Sequence, residues 1–428
     1  MERGKDMKER IIAAADSPRE LERLYRADRT AFTRSFPAAF AEQSDATVLQ
    51  VWQERLFFQE AEAVPNASSS GQPSWDIRVT VLLSFLAGTL VKLPQWLSWP
   101  DDEWFYSRNL GGIMIGALIA FFCLLKPLRK RTAGIITAVL IGSLFYLNLL
   151  PADTDAQTVV LSCLHIPFFF WSLLGITFVG GNWKDLSGRM DYVRYNGELL
   201  IYTTIILIGG MVLTGVTGML FTLINLDDFM EWYMQNVVVY GMTASPIVAT
   251  LLVERIVGDR LKLAPLFAKV FTPLFLLTLV VYLFTMLLDM SRPFTDRDFL
   301  IAFNVLLLVV LGLCILSISE RGSGETAVTV DFMNILLAGV TLAVDVIALA
   351  AILFRLTSYG FTPNRIAVLG ANLLVFGHLA GVLRYYLRFT AGKIGVDRLE
   401  RWIVAYLPAY TAWTLFVAVG FPLLFRFS

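Results

Sequence analysis

The stretch FMNILLAGVTLAVDVIALAAILF, residues 332–354, decides the fold class of this chain. Asp345 is its one charged side chain, and nearly all of the other residues are apolar or small. An α-helix rises about 1.5 Å per residue, so roughly 20 such residues cross the roughly 30 Å hydrocarbon core of a bilayer. The stretch therefore predicts a membrane-spanning helix with a carboxylate near its midpoint.

Ten other apolar stretches of similar length follow one another along the 428-residue chain, which is 56% hydrophobic and 16% charged. Soluble globular domains carry about 25% charged residues. The sequence thus predicts an all-α polytopic membrane protein with about 11 transmembrane helices. The predicted spans are 77–99, 110–125, 133–150, 158–180, 199–224, 236–253, 270–288, 299–319, 332–354, 366–383 and 402–425.

The loops between these spans alternate in their content of basic residues. Lys and Arg number 17 in one alternating set of loops and 5 in the other. Basic residues collect in cytoplasmic loops, so the richer set is predicted to be cytoplasmic, and the N-terminus with it. The richer set consists of 126–132, 181–198, 254–269, 320–326 and 384–401.

Residues 1–62 differ from the rest of the chain and predict a small cytoplasmic head of short amphipathic helices. Residues 17–20, Ser-Pro-Arg-Glu, are typical of a helix start with a capping box. Residues 63–76 contain Ser, Gly and Pro and predict a flexible linker to the transmembrane domain, residues 77–428. The charged faces of the head either simply contact water or form a surface that binds a protein partner.

Several classes of protein are disfavoured by composition and motifs. Lys and Arg total 35, as do Asp and Glu, so the net charge predicts no nucleic-acid partner. Cys123, Cys163 and Cys314 lie in predicted spans without metal-ligand spacing, so we expect no metal site. There is no HExxH or GxSxG motif. We therefore name no catalytic residue, expect no cofactor, and consider an enzyme the less favoured class.

The fifth predicted span is rich in small residues, among them Gly209, Gly210, Gly215 and Gly218. Small residues let two helices approach closely in lipid, where van der Waals contact replaces the hydrophobic drive. The pattern favours close packing against another helix, and the alternative is a glycine hinge or an unwound site.

The C-terminal third carries the most distinctive text: RLTSYGFTPNR at 355–365 and WIVAYLPAY at 402–410. It resembles the bacterial polytopic membrane family catalogued as domain of unknown function 4153, in which an Arg–Tyr-Gly-Leu-Thr–Arg loop recurs. Phe361 stands where that loop has Leu. The resemblance implies a multi-pass protein of the bacterial cytoplasmic (inner) membrane, and it implies neither an activity nor catalytic residues.

The loop at 355–365 also has a local physical interpretation. Thr362 can cap the next helix, and Gly360 supplies the permissive backbone of a tight connection. A structural turn on the outer face is one interpretation. The other is an external ligand site that uses Arg355, Tyr359 and Arg365.

A polar stripe runs along the ninth predicted helix to its midpoint. Its members recur at intervals of three and four residues, which places them on one helix face: Asp331, Asn334, Ala338, Thr341 and Asp345. A carboxylate at the bilayer centre costs about 2.5–3.5 kcal/mol on insertion scales, so Asp345 needs a compensating partner.

The chain has two histidines, His165 and His378, and both lie in predicted spans. Asp345 lies 15 residues before Gly360 and His378 lies 18 after it, so antiparallel helices joined there would bring the two within about 5 Å in depth. Either an Asp345–His378 hydrogen bond holds the two helices together, or the pair is a proton- or ion-linked binding site to which Thr341 and Asn334 contribute. His165 is expected to be a satisfied core residue.

Three functional classes are compatible with the sequence. Transport of a small solute, ion or lipid past polar groups at the midplane is the leading hypothesis. A membrane sensor or scaffold acting through the head is the alternative, and an intramembrane enzyme on a lipid-linked substrate is the third.

Overall fold

The computed structural model of the chain describes residues 2–63, 73–99, 101–126, 128–152, 156–223, 227–257, 263–288, 297–319 and 329–426. Helices make up nearly all of the described residues, and these contain no β-strand. The chain divides into two compact units, Met1–Asp76 and Ile77–Ser428.

The first unit is built from four helices around its own apolar core. They are α1 (Glu2–Ala13), α2 (Pro18–Ala27), α3 (Arg29–Phe40) and α4 (Thr47–Ala63). Phe32 is fully buried and lies 5.2 Å, centroid to centroid, from Trp52. Ser17 precedes α2 as predicted, but its side chain makes no capping hydrogen bond.

A charged cluster joins α2 to α4 on the surface of this unit. Glu22 accepts hydrogen bonds from Arg26 at 2.7 Å and from Arg55 at 2.6 Å. These two bonds, from Arg26 first and then from Arg55, lower the pKa of Glu22 below its ordinary value.

The second unit is a bundle of long apolar helices. They are α5 (Pro73–Trp96), α6 (Asp102–Leu125), α7 (Lys130–Leu149), α8 (Gln157–Phe178), α9 (Leu186–Leu223), α10 (Asp227–Tyr233), α11 (Val239–Leu251), α12 (Ala264–Leu288), α13 (Arg297–Ser319), α14 (Thr329–Tyr359), α15 (Pro363–Thr390), α16 (Val396–Leu415) and α17 (Phe421–Leu424). π-Helical turns lie at Met234–Val238, Leu252–Val257 and Phe416–Gly420.

Ten helices within the described residues are long and apolar enough to cross a membrane. The predicted fold class, an all-α polytopic membrane protein, is therefore confirmed. The span predicted at 299–319 lies in α13, whose described apolar part, Phe303–Ser319, is shorter than the other ten.

Helix ends differ from the predicted ones where polar residues continue a helix. α5 begins at Pro73, so the last residues of the predicted 63–76 linker are helical, while residues 64–72 lie outside the described residues. Helix α9 begins at Leu186, inside the predicted loop 181–198. Apolar windows detect the part of a helix that lipid covers, and charged turns beyond it give no such signal.

The expected close packing of the small residues in α9 is wrong for three of the four glycines of the fifth predicted span. A Cβ added at Gly209, Gly210 or Gly215 would meet no described atom within 4 Å. The large side chains of the same segment are exposed too, for example Met211 at 74%. Only Gly218 meets a neighbouring helix among the described residues, since its Cβ would lie 3.1 Å from Met230 of α10.

Two apolar clusters form the core of the membrane unit. One includes side chains from α5 to α8 and α11, and the other includes side chains from α12 to α16 and the beginning of α9. The polar stripe on α14 lies within the second cluster, so the candidate site is surrounded by core.

Candidate functional site

The polar stripe on α14 faces the interior of the bundle along its whole length. Each of its members has an exposed fraction of 0%: Asp331, Asn334, Ala338, Thr341 and Asp345. Val344 and Ala348, which flank the carboxylate in the helix, belong to the apolar core. The helical periodicity of the sequence therefore assigns the correct face to the interior.

Asn334 connects four helices through its amide group. Its Nδ2 donates to Ser317 Oγ of α13 at 2.6 Å and to Tyr386 Oη of α15 at 3.1 Å. Its Oδ1 accepts from Thr272 Oγ1 of α12 at 3.4 Å. The amide is thus satisfied by protein groups, and its partners make it an interhelical hydrogen-bonding hub.

Thr341 lies one turn from Asp345 and its hydroxyl is satisfied within its own helix. Its Oγ1 donates to the carbonyl of Leu337 at 2.7 Å, a common arrangement for a threonine inside a helix. The hydroxyl oxygen keeps accepting capacity on the face that it shares with Asp345.

Asp345 is the exception on this face. Its exposed fraction is 0%, and neither carboxylate oxygen has a hydrogen-bond partner among the described residues. Removing a carboxylate from water costs several kcal/mol even after relaxation, unless a proton or a counter-charge compensates. The side chain is therefore suited to bind a proton or a small cation.

His378 is also fully buried, and α16 holds its ring. Nδ1 shares a 3.0 Å hydrogen bond with Tyr410 Oη, and the ring stacks on Tyr406 with centroids 4.6 Å apart and planes 14° apart. Trp402 Nε1 donates to the His378 carbonyl at 3.2 Å. Nε2 has no partner within the described part of the chain.

The expected direct Asp345–His378 pair is not formed. No hydrogen bond or ion pair joins these two described residues, because the imidazole turns its Nδ1 towards α16. The depths of Asp345 and His378 in the bundle nevertheless differ by about as little as the sequence predicts. The Asn334–Tyr386 contact places Val375 opposite Asp345, three residues or about 5 Å from His378 along α15.

Glycines of α15 make room for aromatic side chains of α16, two of which lie next to His378. A Cβ at Gly381 would lie 2.1 Å from Trp402, one at Gly377 2.8 Å from Tyr406 Oη, and one at Gly370 2.0 Å from Trp413. The intervals mirror each other: seven then four residues between the glycines, and four then seven between the aromatics. This mirrored spacing is the sequence signal that would have assigned His378 to α16.

The loop between α14 and α15 is organised by its own residues. Thr362 caps α15 by accepting from the Arg365 N–H, and Gly360 has φ of +83°. Arg365 Nη1 donates to the carbonyls of Tyr359 and Gly360, at 2.7 Å each. Arg365 is therefore hydrogen-bonded within the turn itself. Tyr359 is 63% exposed, and Arg355 Nη1 has no partner among the described residues.

Two other ionisable side chains of the bundle form hydrogen bonds with backbone carbonyls. His165 Nδ1 shares a hydrogen bond with the Leu161 carbonyl at 2.8 Å, as expected of a satisfied core histidine. Buried Arg108 donates to the carbonyls of Leu150 and Pro151 at the end of α7, at 3.1 and 2.7 Å. Within the described residues no group of three or more His, Cys, Asp or Glu side chains could hold a metal ion.

No family model, curated protein or solved structure matches this chain. The resemblance of its C-terminal third therefore stays a prediction.

Proposed function

We propose that this integral membrane protein transports a proton or another small cation, with Asp345 as the binding carboxylate. The observation that supports the proposal is the environment of Asp345, which is fully buried with both oxygens unpartnered among the described residues. A charged carboxylate at the bilayer centre costs about 2.5–3.5 kcal/mol on insertion scales. Because an arriving cation removes that cost, the protein environment itself favours binding.

The stripe on α14 gives the ion a polar route from one end of the bundle. Asp331 and Asp345 are separated by fourteen residues, about 21 Å along the helix, with Asn334 and Thr341 between them. Such chains of polar groups inside a bundle are typical of ion and proton pathways.

Transport also requires water to reach Asp345, and the structure offers no such path among the described residues, which by itself fits a scaffold better. Asp345 has no exposure to solvent, and neither the cavity beside α8 nor the one beside Arg194 is lined by it. The transport proposal therefore requires a second conformation in which the stripe is hydrated, as alternating access would supply.

A membrane sensor or scaffold is the second candidate, and one observation favours it. Residues of the first unit bury a core of their own, in which Ile11, Leu21, Phe32, Phe36 and Leu49 have exposed fractions of 0%. A compact unit with a core of its own fits a protein that engages a partner through its head.

We further propose that the protein lies in the bacterial cytoplasmic membrane with its N-terminus in the cytoplasm. The excess of Lys and Arg in alternate loops, 17 against 5, supports this orientation. The lipid bilayer is then one partner, and a protein bound to the head would be the second.

Proton flux into proteoliposomes tests the transport proposal. The full-length protein is reconstituted with an internal pH dye, and a potassium diffusion potential drives the flux. We expect flux in the parent, loss in Asp345→Asn, and retention in Asp397→Asn, which changes an exposed carboxylate at the start of α16.

Thermal unfolding of the same variants separates a ligand site from a structural contact. An amide is cheaper to bury than a charge and is nearly isosteric, so Asp345→Asn should unfold no earlier than the parent. Absence of cation flux in the parent, with protons, sodium and potassium each tried, would contradict transport. Equal flux in parent and Asp345→Asn would contradict the role of Asp345.

A further inference from the structure

A groove of about 380 Å³ lies on the membrane unit between α8, α16 and the beginning of α9. Its walls are mainly apolar, with Ile176, Val179, Leu407 and Leu415 among the lining residues. Along α8 the lining extends from Trp171 to Val179, eight residues or about 12 Å. The groove therefore follows the helices inward from the α8–α9 connection.

One cation is fixed beside this groove. Arg189 Nε donates to the Trp183 carbonyl at 2.6 Å, and Nη1 donates to the Val404 carbonyl at 3.2 Å. Carbonyl oxygens orient the guanidinium without cancelling its charge, and Arg189 forms no ion pair with any described residue. An immobilised positive charge next to apolar surface is complementary to an anionic group that carries an apolar chain.

The position of Trp183 suits the boundary between lipid and water. Its indole is 52% exposed, lines the groove, and lies within 5.6 Å of the Arg189 guanidinium. Tryptophan is enriched at the depth of lipid headgroups, and basic pockets between transmembrane helices bind anionic headgroups.

We propose that this groove is a binding site for an anionic glycerophospholipid. Its phosphate contacts Arg189, and one acyl chain lies between α8 and α16. The proposal uses no residue of the α14–α15 site and does not rest on the transport proposal.

The shape of the groove suits a lipid chain. Its volume of about 380 Å³ extends over about 12 Å along α8, so an extended acyl chain can lie in it lengthwise. A small soluble anion would satisfy Arg189 but would leave the apolar walls uncovered.

Native mass spectrometry of the detergent-purified full-length protein measures lipid retention directly. The probes are dioleoyl phosphatidylglycerol and dioleoyl phosphatidylcholine, which share acyl chains and differ in net charge. We expect the parent to bind phosphatidylglycerol about fivefold more tightly, the preference that one basic residue near the headgroup gives. Glycerol 3-phosphate should not displace the lipid, because it lacks the chain.

Variants separate the headgroup contact from the acyl-chain contact. Arg189→Gln should abolish the preference for phosphatidylglycerol, whereas Arg189→Lys should keep it. Ala412→Phe, at an exposed position that lines the groove, should weaken the binding of both lipids. Arg398→Gln, at an exposed arginine of α16, is the matched control and should behave as the parent does.

Three results would each overturn the proposal. They are equal retention of the two lipids by the parent, an unchanged preference in Arg189→Gln, and unchanged retention in Ala412→Phe. If Arg189→Gln does not fold, the Lys variant decides the question, since loss of the preference in that folded variant contradicts charge-based recognition. Displacement by glycerol 3-phosphate would indicate a soluble phosphate compound instead of a lipid.

Discussion

Replacing Gly381 by alanine tests the glycine–aromatic interface that positions His378. The added Cβ would lie 2.1 Å from the Trp402 ring, whereas ordinary contact begins at 3.4 Å. The indole must therefore withdraw by more than 1 Å. Its Nε1 then loses the 3.2 Å hydrogen bond to the His378 carbonyl.

The expected magnitude follows from three opposing contributions. Overpacking costs about 1–3 kcal/mol and the lost hydrogen bond about 1 kcal/mol. Alanine gains about 1 kcal/mol over glycine in a helix interior. The free energy of unfolding should therefore fall by about 1–3 kcal/mol.

In a background where the half-buried Cys123 and Cys163 are replaced by serine, a thiol-reactive dye that labels Cys314 measures this change during heating. Cys314 is fully buried in the same apolar cluster, so it becomes reactive only when the bundle opens. Gly339→Ala in α14 is the control, because its Cβ would meet nothing within 4 Å among the described residues. This control should be as stable as the parent or slightly more stable.

A double-mutant cycle assigns the effect to the ring. In the background Trp402→Ala the added methyl group has nothing to displace, so Gly381→Ala should no longer destabilise the protein. A clash with the indole is refuted if Gly381→Ala unfolds no earlier than Gly339→Ala. It is also refuted if Gly381→Ala lowers the free energy of unfolding equally with and without the indole.

Three further predictions concern other parts of the chain. Thr362→Ala removes the cap of α15 and should lower the free energy of unfolding by about 0.5–2 kcal/mol in the same thermal assay; an unchanged midpoint would contradict it. Hydrogen bonds from Arg26 and Arg55 lower the pKa of Glu22, so its stabilisation of the first unit should be complete above the ordinary value of 4.5 and be lost as the pH falls below it. Hydrogen exchange in α2 should show this acid dependence in the parent and lose it in Glu22→Gln. Lys130→Cys, in a background without the three native cysteines, should react with an impermeant maleimide only after the cells are permeabilised; labelling of intact cells would reverse the orientation.

Much of the fold was predictable because lipid imposes a local rule on the sequence. Each predicted span overlaps a helix of the structure, since about 20 apolar residues are needed wherever a helix crosses the bilayer. The helix ends within the loops rich in Lys and Arg were less predictable. The 384–401 loop is helical except for residues 391–395, because α15 continues to Thr390 and α16 begins at Val396.

The π-helical turn Phe416–Gly420 shows a second limit of the sequence pattern. Its Ala418 carbonyl accepts from Tyr146 Oη at 2.9 Å and from Ser162 Oγ at 2.7 Å, donors from α7 and α8. A one-residue change in helical register depends on such tertiary partners. It gives no signal in hydrophobic periodicity.

For the candidate site, the sequence could predict which face of its helix Asp345 occupies, but not the partner of His378. Intervals of three and four residues assign Asp345 to an interior face without knowledge of the neighbours. The partner of His378 depends on the rotation of α15 about its axis, which the helical period leaves undetermined. The glycines at 370, 377 and 381 restrict that rotation, because the aromatic ridge of α16 fits only where a Cβ is missing.

Asp345 and Asn334 lie on the same helix face but differ in their surroundings. Both side chains have an exposed fraction of 0%, and both lie inside one apolar cluster. The bundle surrounds Asn334 with hydrogen-bonding groups from three other helices, which is how a buried polar contact becomes structural. The described residues provide Asp345 with no such group, although its carboxylate is the more costly of the two to bury. A contact that served only to hold helices together would resemble the one at Asn334, so the difference between the two positions favours an ion as the partner of Asp345.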